Sequence, residues 1–329
     1  MTTDSSTWQP DILGADFEQQ SIPLDPDPDF PTEVTATLVR YTASAQPGRT
    51  AVLWVHGLSD YFFHTHVAQR LHDEGFAVYA LDLRACGRSR RPGQHWHYST
   101  DIARYGEELT KALSLIVDAG HDRVVPLAHS TGGLIVPLWL SALHSERPEL
   151  HAHVAGAILN SPWLDMMYPR AAVIGMRALA GTIGRIWPGV ALPAGKLDGY
   201  GVSLHASKNG EWDFDTRFKP LSGHRIYLGW LGSILKSQKA IHAGGVDAAV
   251  PTLVLRSSQS YLGQPYSAAT DTADAVLDVE QIARRAPLVS STVTQQVIEG
   301  ARHDVFLSLP HAREQALDLT VEWLRGLER

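Results

Sequence analysis

The chain holds one cysteine, Cys86, in 329 residues. No internal disulfide can form, and a reducing, cytoplasmic setting is expected. A basic excess is also missing: 28 Lys and Arg stand against 35 Asp and Glu, a formal net charge of −7. Nucleic-acid binders need a positive surface, so that partner class is excluded. There is no run of 18 uncharged apolar residues, hence no expected spanning helix. The start, Met1-Thr2-Thr3-Asp4-Ser5-Ser6, has neither a basic nor an apolar region, so no secretory signal is expected. No glycine-rich phosphate loop follows a strand pattern, which argues against nucleotide use. What remains is a globular chain, 44% hydrophobic and 19% charged, long enough to bury a core without disulfides or metals.

Residues 1–30 are polar and rich in Asp and Pro, and read as an N-terminal polar segment. Strand patterns follow at 34–41 and 51–55, then strand and helix patterns alternate. Strands are expected at 76–83, 123–128, 154–159, 251–256 and 292–299. Helices are expected at 101–119, with Asp101 as N-cap, and at 131–144, 279–286 and 312–327. Such alternation indicates parallel βαβ units with right-handed crossovers. The near-continuous apolar strands suit a sheet covered on both faces. Pro126 in the central strand implies a local bulge. Residues 165–245 break the alternation and read as an insertion. The expected organisation is a core of 31–164 and 246–329, interrupted by this segment.

Four local patterns carry chemistry. Leu127-Ala128-His129-Ser130-Thr131-Gly132-Gly133 sits between a strand and a helix, where a sharp turn exposes a serine hydroxyl at the sheet edge. Small residues are needed two before and two after it, here Ala128 and Gly132. Trp54-Val55-His56-Gly57-Leu58-Ser59-Asp60 places a loop amide beside that turn. The N–H groups of Leu58 and Thr131 are expected to form an oxyanion hole. Glu299-Gly300-Ala301-Arg302-His303-Asp304 puts His303 just past the last strand, as a candidate general base. The acid that orients it lies among Asp271, Asp274 and Asp278. Asp278 is followed three residues later by Gln281 at a helix start, which explains it as an N-cap with a capping-box partner. Asp274 lies in a loop with no competing role, and is preferred.

These residues together resemble the α/β-hydrolase fold, and within it the serine aminopeptidase/lysophospholipase-type group that includes monoacylglycerol lipases. The order Ser130, Asp274, His303 is that fold's order. Asp82-Leu83-Arg84-Ala85-Cys86-Gly87-Arg88-Ser89 resembles the group's Asp-x-Arg-Gly-x-Gly-x-Ser segment, with Ala85 and Cys86 replacing a Gly-His pair. His56-Gly57-Leu58-Ser59-Asp60 resembles its His-Gly-x-x-Glu segment, and Asp274-Ala275-Val276-Leu277 its Asp-x-Val-Val segment. The resemblance implies a mostly parallel central sheet with helices on both faces, and a cap at 165–245. It also implies a Ser-His-Asp hydrolase of monoacylglycerols, lysophospholipids or simple carboxylic esters, working without a cofactor.

Other readings stay open. An amidase or aminopeptidase would need an acid in the pocket, for which Glu211, Asp213 or Asp215 could serve. A non-catalytic ligand-binding relative would normally have a broken triad. His64-Thr65-His66, His95-Trp96-His97 and His151-Ala152-His153 look like metal pairs, but none has a Cys or carboxylate cluster at ligand spacing, so no metal is expected. Cys86 reads as a structural thiol. Within 168–187, Arg170, Arg177 and Arg185 share a stripe, with Val173, Met176, Leu179, Ile183 and Ile186 mostly opposite. The expectation is a cap helix that buries this apolar side, with transient lipid or micelle contact as the second use.

Overall fold

The continuous apolar runs of the sequence become the middle of a large sheet. The computed structural model describes residues 7–192 and 198–328. Residues 1–6 of the expected polar segment and 193–197 of the expected insertion lie outside the described residues. The strands are β1 (Gln9–Asp11), β2 (Gly14–Pro23), β3 (Thr35–Tyr41), β4 (Ala51–Val55), β5 (Ala77–Asp82), β6 (Val124–His129), β7 (Ala157–Asn160), β8 (Thr252–Ser257) and β9 (Val293–Ile298). They form one sheet of order β1-β2-β3-β5-β4-β6-β7-β8-β9. From β5 to β9 all pairs are parallel, and β1, β2 and β3 join antiparallel.

The helices are α1 (Thr65–Asp73), α2 (Tyr105–Asp118), α3 (Gly132–Glu146), α4 (Pro148–His151), α5 (Arg170–Ile186), α6 (Asp198–Leu204), α7 (Leu228–His242), α8 (Val279–Arg285) and α9 (Pro310–Leu327). Among the described residues no helix is long and apolar enough to cross a membrane. β4, β5, β6 and β7 are buried at every position. Their side chains alternate between two cores: Leu53 and Val55 face one, Val52 and Trp54 the other. Both faces are covered, which is why these strands are apolar throughout rather than alternating.

Three expectations change. The polar segment 1–30 carries two strands, β1 and β2, at the open edge. Half-exposed antiparallel strands hold on through backbone pairing and need few apolar residues, so their sequence looks like a tail. Arg88 ties this edge to the core: its guanidinium bonds both Asp11 and Asp82. Pro126 stays inside β6, and the β4–β6 register runs unbroken through it. The missing N–H falls instead between an isolated Val124–Val154 bridge and the first regular β6–β7 pair, Leu127–Ile158. Finally, α1, α4, α6 and α7 were not expected: α1, α4 and α6 are nine residues or shorter, and α6 and α7 lie where no strand-helix alternation marks them, whereas α5 corresponds to the helix expected within 168–187.

Candidate active site

Strand β6 ends at His129, and the chain turns sharply into α3. Ser130 sits in the turn with φ +51, left-handed and strained for a residue with a Cβ. Its N–H donates to Asn160 O (2.9 Å), and its carbonyl accepts from Gly133 N and Trp163 N (3.0 Å each). Close packing dictates the small residues around it. A Cβ on Gly132 would meet the carbonyl oxygens of His56 and Val55 at 2.7 and 2.8 Å. One on Gly57 would meet Ser130 Cβ at 2.9 Å. Ala128 is fully buried between its strand partners Val55 and Leu159.

The structure brings Ser130, His303 and Asp274 together from three separate segments. His303 Nε2 lies 3.0 Å from Ser130 Oγ, and Nδ1 lies 2.9 Å from Asp274 Oδ2. A carboxylate only accepts, so the Nδ1 proton points at Asp274 and Nε2 is free to accept from the serine hydroxyl. The other oxygen, Asp274 Oδ1, accepts from Val276 N and Leu277 N at 2.8 Å each. The competing acids are engaged elsewhere. Asp271 accepts from Arg302 Nη2 (2.7 Å) and Tyr266 Oη (3.0 Å). Asp278 caps α8 through Glu280 N and Gln281 N. The expected capping box does not close: among the described residues no bond joins the Gln281 side chain to Asp278 N, and Gln281 Nε2 donates to Met166 O.

Leu58 follows Gly57, which passes directly over Ser130, and Thr131 is the N-cap of α3. Among the described residues neither backbone N–H has a hydrogen-bond partner. Two unpaired donors therefore flank the serine at a helix N-terminus, where negative charge is favoured.

Residues missed from sequence complete the surroundings. Asp304, next to His303, accepts from Asn160 Nδ2 (2.7 Å) and pairs with His64 Nε2 (2.9 Å). Burial pushes its carboxyl up, but His129 and His64, with the bonds from His64 and Asn160, hold it far below the usual carboxylate range. The only sequence signal was an Asp beside the candidate base. The paired histidines each go to a separate local partner. His64 joins Asp304, His66 Nε2 donates to Phe306 O, and His151 Nε2 donates to Ala248 O. His153 Nδ1 donates to Asp122 O, while His95 meets Tyr227 Oη. His97 Nδ1 meets Cys86 Sγ at 3.2 Å, and burial raises that thiol and lowers that imidazole. His56, Cys86 and His97 lie close enough to suggest a ligand set. Both His56 ring nitrogens are already taken, by Gly57 O and Leu83 N.

Burial pulls His66 and His129 down to about 4 from an ordinary 6.5. Between those values the unfolded chain takes up protons that the folded chain refuses. Stability is therefore full above about pH 6.5 and falls on acidification, by up to about 1.4 kcal/mol per pH unit for each histidine. His66→Gln keeps a donor for Phe306 O. Its urea midpoint should drop less than wild type between pH 7.5 and 5. An equal drop would mean that His66 protonates in the folded state.

A family model described as "serine aminopeptidase, S33" matches residues 46–309. A monoacylglycerol lipase from Paleococcus ferrophilus superposes with TM-score 0.61 at 25% identity, over 86% of this chain and 96% of its own. A soluble variant of monoglyceride lipase from Saccharomyces cerevisiae, bound to a substrate analogue, superposes with TM-score 0.63 at 16% identity, over 94% and 96%. That second likeness speaks for the fold alone. Epoxide hydrolase A of Mycobacterium tuberculosis is 32% identical over 41% of this chain and 38% of its own. Human epoxide hydrolase 4 is 26% identical over 31% and 26%. The match thus spans between a quarter and two fifths of these curated relatives. Strand order, the turn at Ser130 and the family match over 46–309 agree: the chain belongs to the serine aminopeptidase, S33, family of α/β-hydrolases.

Proposed function

We propose that the protein hydrolyses carboxylic esters through Ser130, His303 and Asp274. The observation that carries this is the unbroken hydrogen-bonded line from Asp274 Oδ2 through the His303 ring to Ser130 Oγ. His303 Nε2 takes the hydroxyl proton as Oγ attacks the ester carbonyl. The tetrahedral oxyanion is held by the amides of Leu58 and Thr131. Its collapse forms the acyl-enzyme, and the alcohol leaves with the proton returned by His303. Water then attacks the acyl carbon, with His303 again as base, and releases the acid. Asp274 keeps the imidazole in the productive tautomer and stabilises its charged form. Labelling of Ser130 by a fluorophosphonate tests the nucleophile. Rates on p-nitrophenyl esters of increasing length, beside a monoacylglycerol and a lysophospholipid, test the substrate class.

The amine-directed reading has less support. Glu211 pairs with Arg313 and Asp215 with Arg217, while Asp213 is exposed. None of these three offers a free buried carboxylate for an amine.

Residues 165–245 are read as a cap. Within it, α5 buries Val173 of the expected side together with Ala180 and Gly184, and half-buries Met176, while Leu179, Ile183 and Ile186 of that side are exposed. The reason is close helix packing. A Cβ on Gly184 would meet Leu228 of α7 at 3.4 Å, and one on Gly232 would meet Ala180 at 3.4 Å. Small residues fill that seam, so Ile174, Leu179, Ile183, Ile186 and Trp187 point outward. Ile186 and Trp187 are 68% and 62% exposed. Leu179, Ile183 and Ile186 lie opposite the three arginines, the layout of an interfacial helix. We take this face to meet lipid or micelles. Hydrolysis of one ester should rise several-fold above its micelle concentration in wild type. In Leu179→Glu/Ile183→Glu the rise should be lost, while the rate on monomeric ester is kept. A wild type with no rise rejects the interfacial reading.

A further inference from the structure

We propose that Lys219 is a positioning residue for the oxyanion loop: from the inserted segment it holds Asp60, and through Asp60 the amide of Leu58. This rests on the reading of Ser130 as nucleophile and Leu58 as oxyanion donor.

The loop after β4 is gripped at both ends. On one side Gly57 lies against Ser130 and His129. On the other, three consecutive residues are bound by one short stretch of the insertion. Ser59 Oγ accepts from His224 N (2.7 Å), Asp60 Oδ1 accepts from Lys219 Nζ (2.7 Å), and Tyr61 Oη accepts from Asp215 N (2.8 Å). Ser59 is left-handed, with φ +54. A non-glycine residue stays there only when its surroundings over-determine it. Leu58 stands between the two grips, so the direction of its N–H depends on both.

The ion pair dominates the outer grip. Asp60 is 1% exposed, and its second oxygen has no partner among the described residues. Lys219 runs inward past the rings of Phe63, Tyr200 and Phe214, with Nζ 5.6–6.0 Å from their centres. Burial alone would push the Asp60 carboxyl up, and Lys219, ahead of His64, His129 and His56, carries it below its ordinary value. Buried ion pairs add little net stability compared with apolar replacements, but removing one partner leaves a stranded charge. Such a pair is better suited to fixing one geometry than to holding the fold together. The segment proposed as the cap therefore shapes the oxyanion hole, which lies in the core.

The test compares Lys219→Met, Asp60→Asn, and Asp60→Asn/Lys219→Gln with wild type. Readouts are kcat and KM on p-nitrophenyl butyrate, thermal midpoint, and hydrogen exchange of the peptide spanning residues 56–62. Losing an oxyanion donor outright costs about 10²–10³ in kcat, and misplacing one costs part of that. Lys219→Met should lose about 10–100-fold in kcat with KM within about twofold, and residues 56–62 should exchange faster. The double variant restores a neutral hydrogen-bonded pair and should recover most of the loss. Three results would overturn the proposal: unchanged kcat in folded Lys219→Met, a rise in KM alone, or a lower thermal midpoint with kcat and exchange unchanged. Should Lys219→Met not fold, the double variant against Asp60→Asn gives the same comparison. A wild type inert to esters and to fluorophosphonate would instead reject the Ser130 reading. Hydrogen exchange would then still decide whether Lys219 holds the loop.

Discussion

Ser130→Ala is expected to fold like wild type and to lose about 10⁴–10⁶ in kcat for ester hydrolysis. The fold should survive because the change removes one oxygen and leaves the backbone alone. The strain at φ +51 falls on any L residue, so alanine adds none. Among the described residues the hydroxyl makes one hydrogen bond, to His303 Nε2, and that nitrogen stays free to accept from water. Activity should go because, among the described residues, no other hydroxyl is hydrogen-bonded to the base. Circular dichroism and the thermal midpoint check the first half, and turnover with fluorophosphonate labelling checks the second. A folded Ser130→Ala protein with near-normal kcat would remove the basis of the proposed mechanism.

Asp274→Asn should lose about 10⁴ in kcat while binding substrate normally. The cause is visible in the hydrogen bonds. At Oδ1 the side chain accepts from Val276 N and Leu277 N, so an asparagine must put its carbonyl oxygen there. Its NH2 then faces His303 Nδ1, which must accept rather than donate. The ring proton moves to Nε2, and Nε2 can no longer take the serine proton. Asp278→Asn should cost little, since asparagine caps a helix N-terminus as well as aspartate. Measured kcat and KM for both variants decide the matter. A large loss at Asp278 with a small one at Asp274 would refute the assignment of the acid.

Much of the site was legible because its signals are short-range. The turn at Ser130 needs a strand before it, a helix after it and small residues two positions away, all within seven residues. The central strands announced themselves by continuous apolarity, since both faces are covered. Asp278 was recognisable as a cap from its place before a helix. Asp274 was harder: its preference came from its free loop position, and its contact with His303 joins residues 29 apart.

What resisted reading is what depends on a partner. The strands of 1–30 are held by backbone pairing at an edge, which leaves almost no trace in side-chain type. Helix α5 presents its large apolar side chains outward, because a seam of small residues lets α7 approach more closely than periodicity alone would foresee. Asp304 carries no local mark of its partners, because His64 and Asn160, which bond it, lie 240 and 144 residues away.

The sequence by itself determined the strand-helix alternation, the strained serine turn and the late histidine, because each depends on neighbours a few residues away. Only the tertiary structure decided which charges meet. Lys219 and Asp60 are 159 residues apart, and neither stretch carries a mark of the other. A buried charge must find its counter-charge wherever the fold delivers one. That pairing is set by how the segment between β7 and β8 folds back over the loop after β4, which no local pattern encodes.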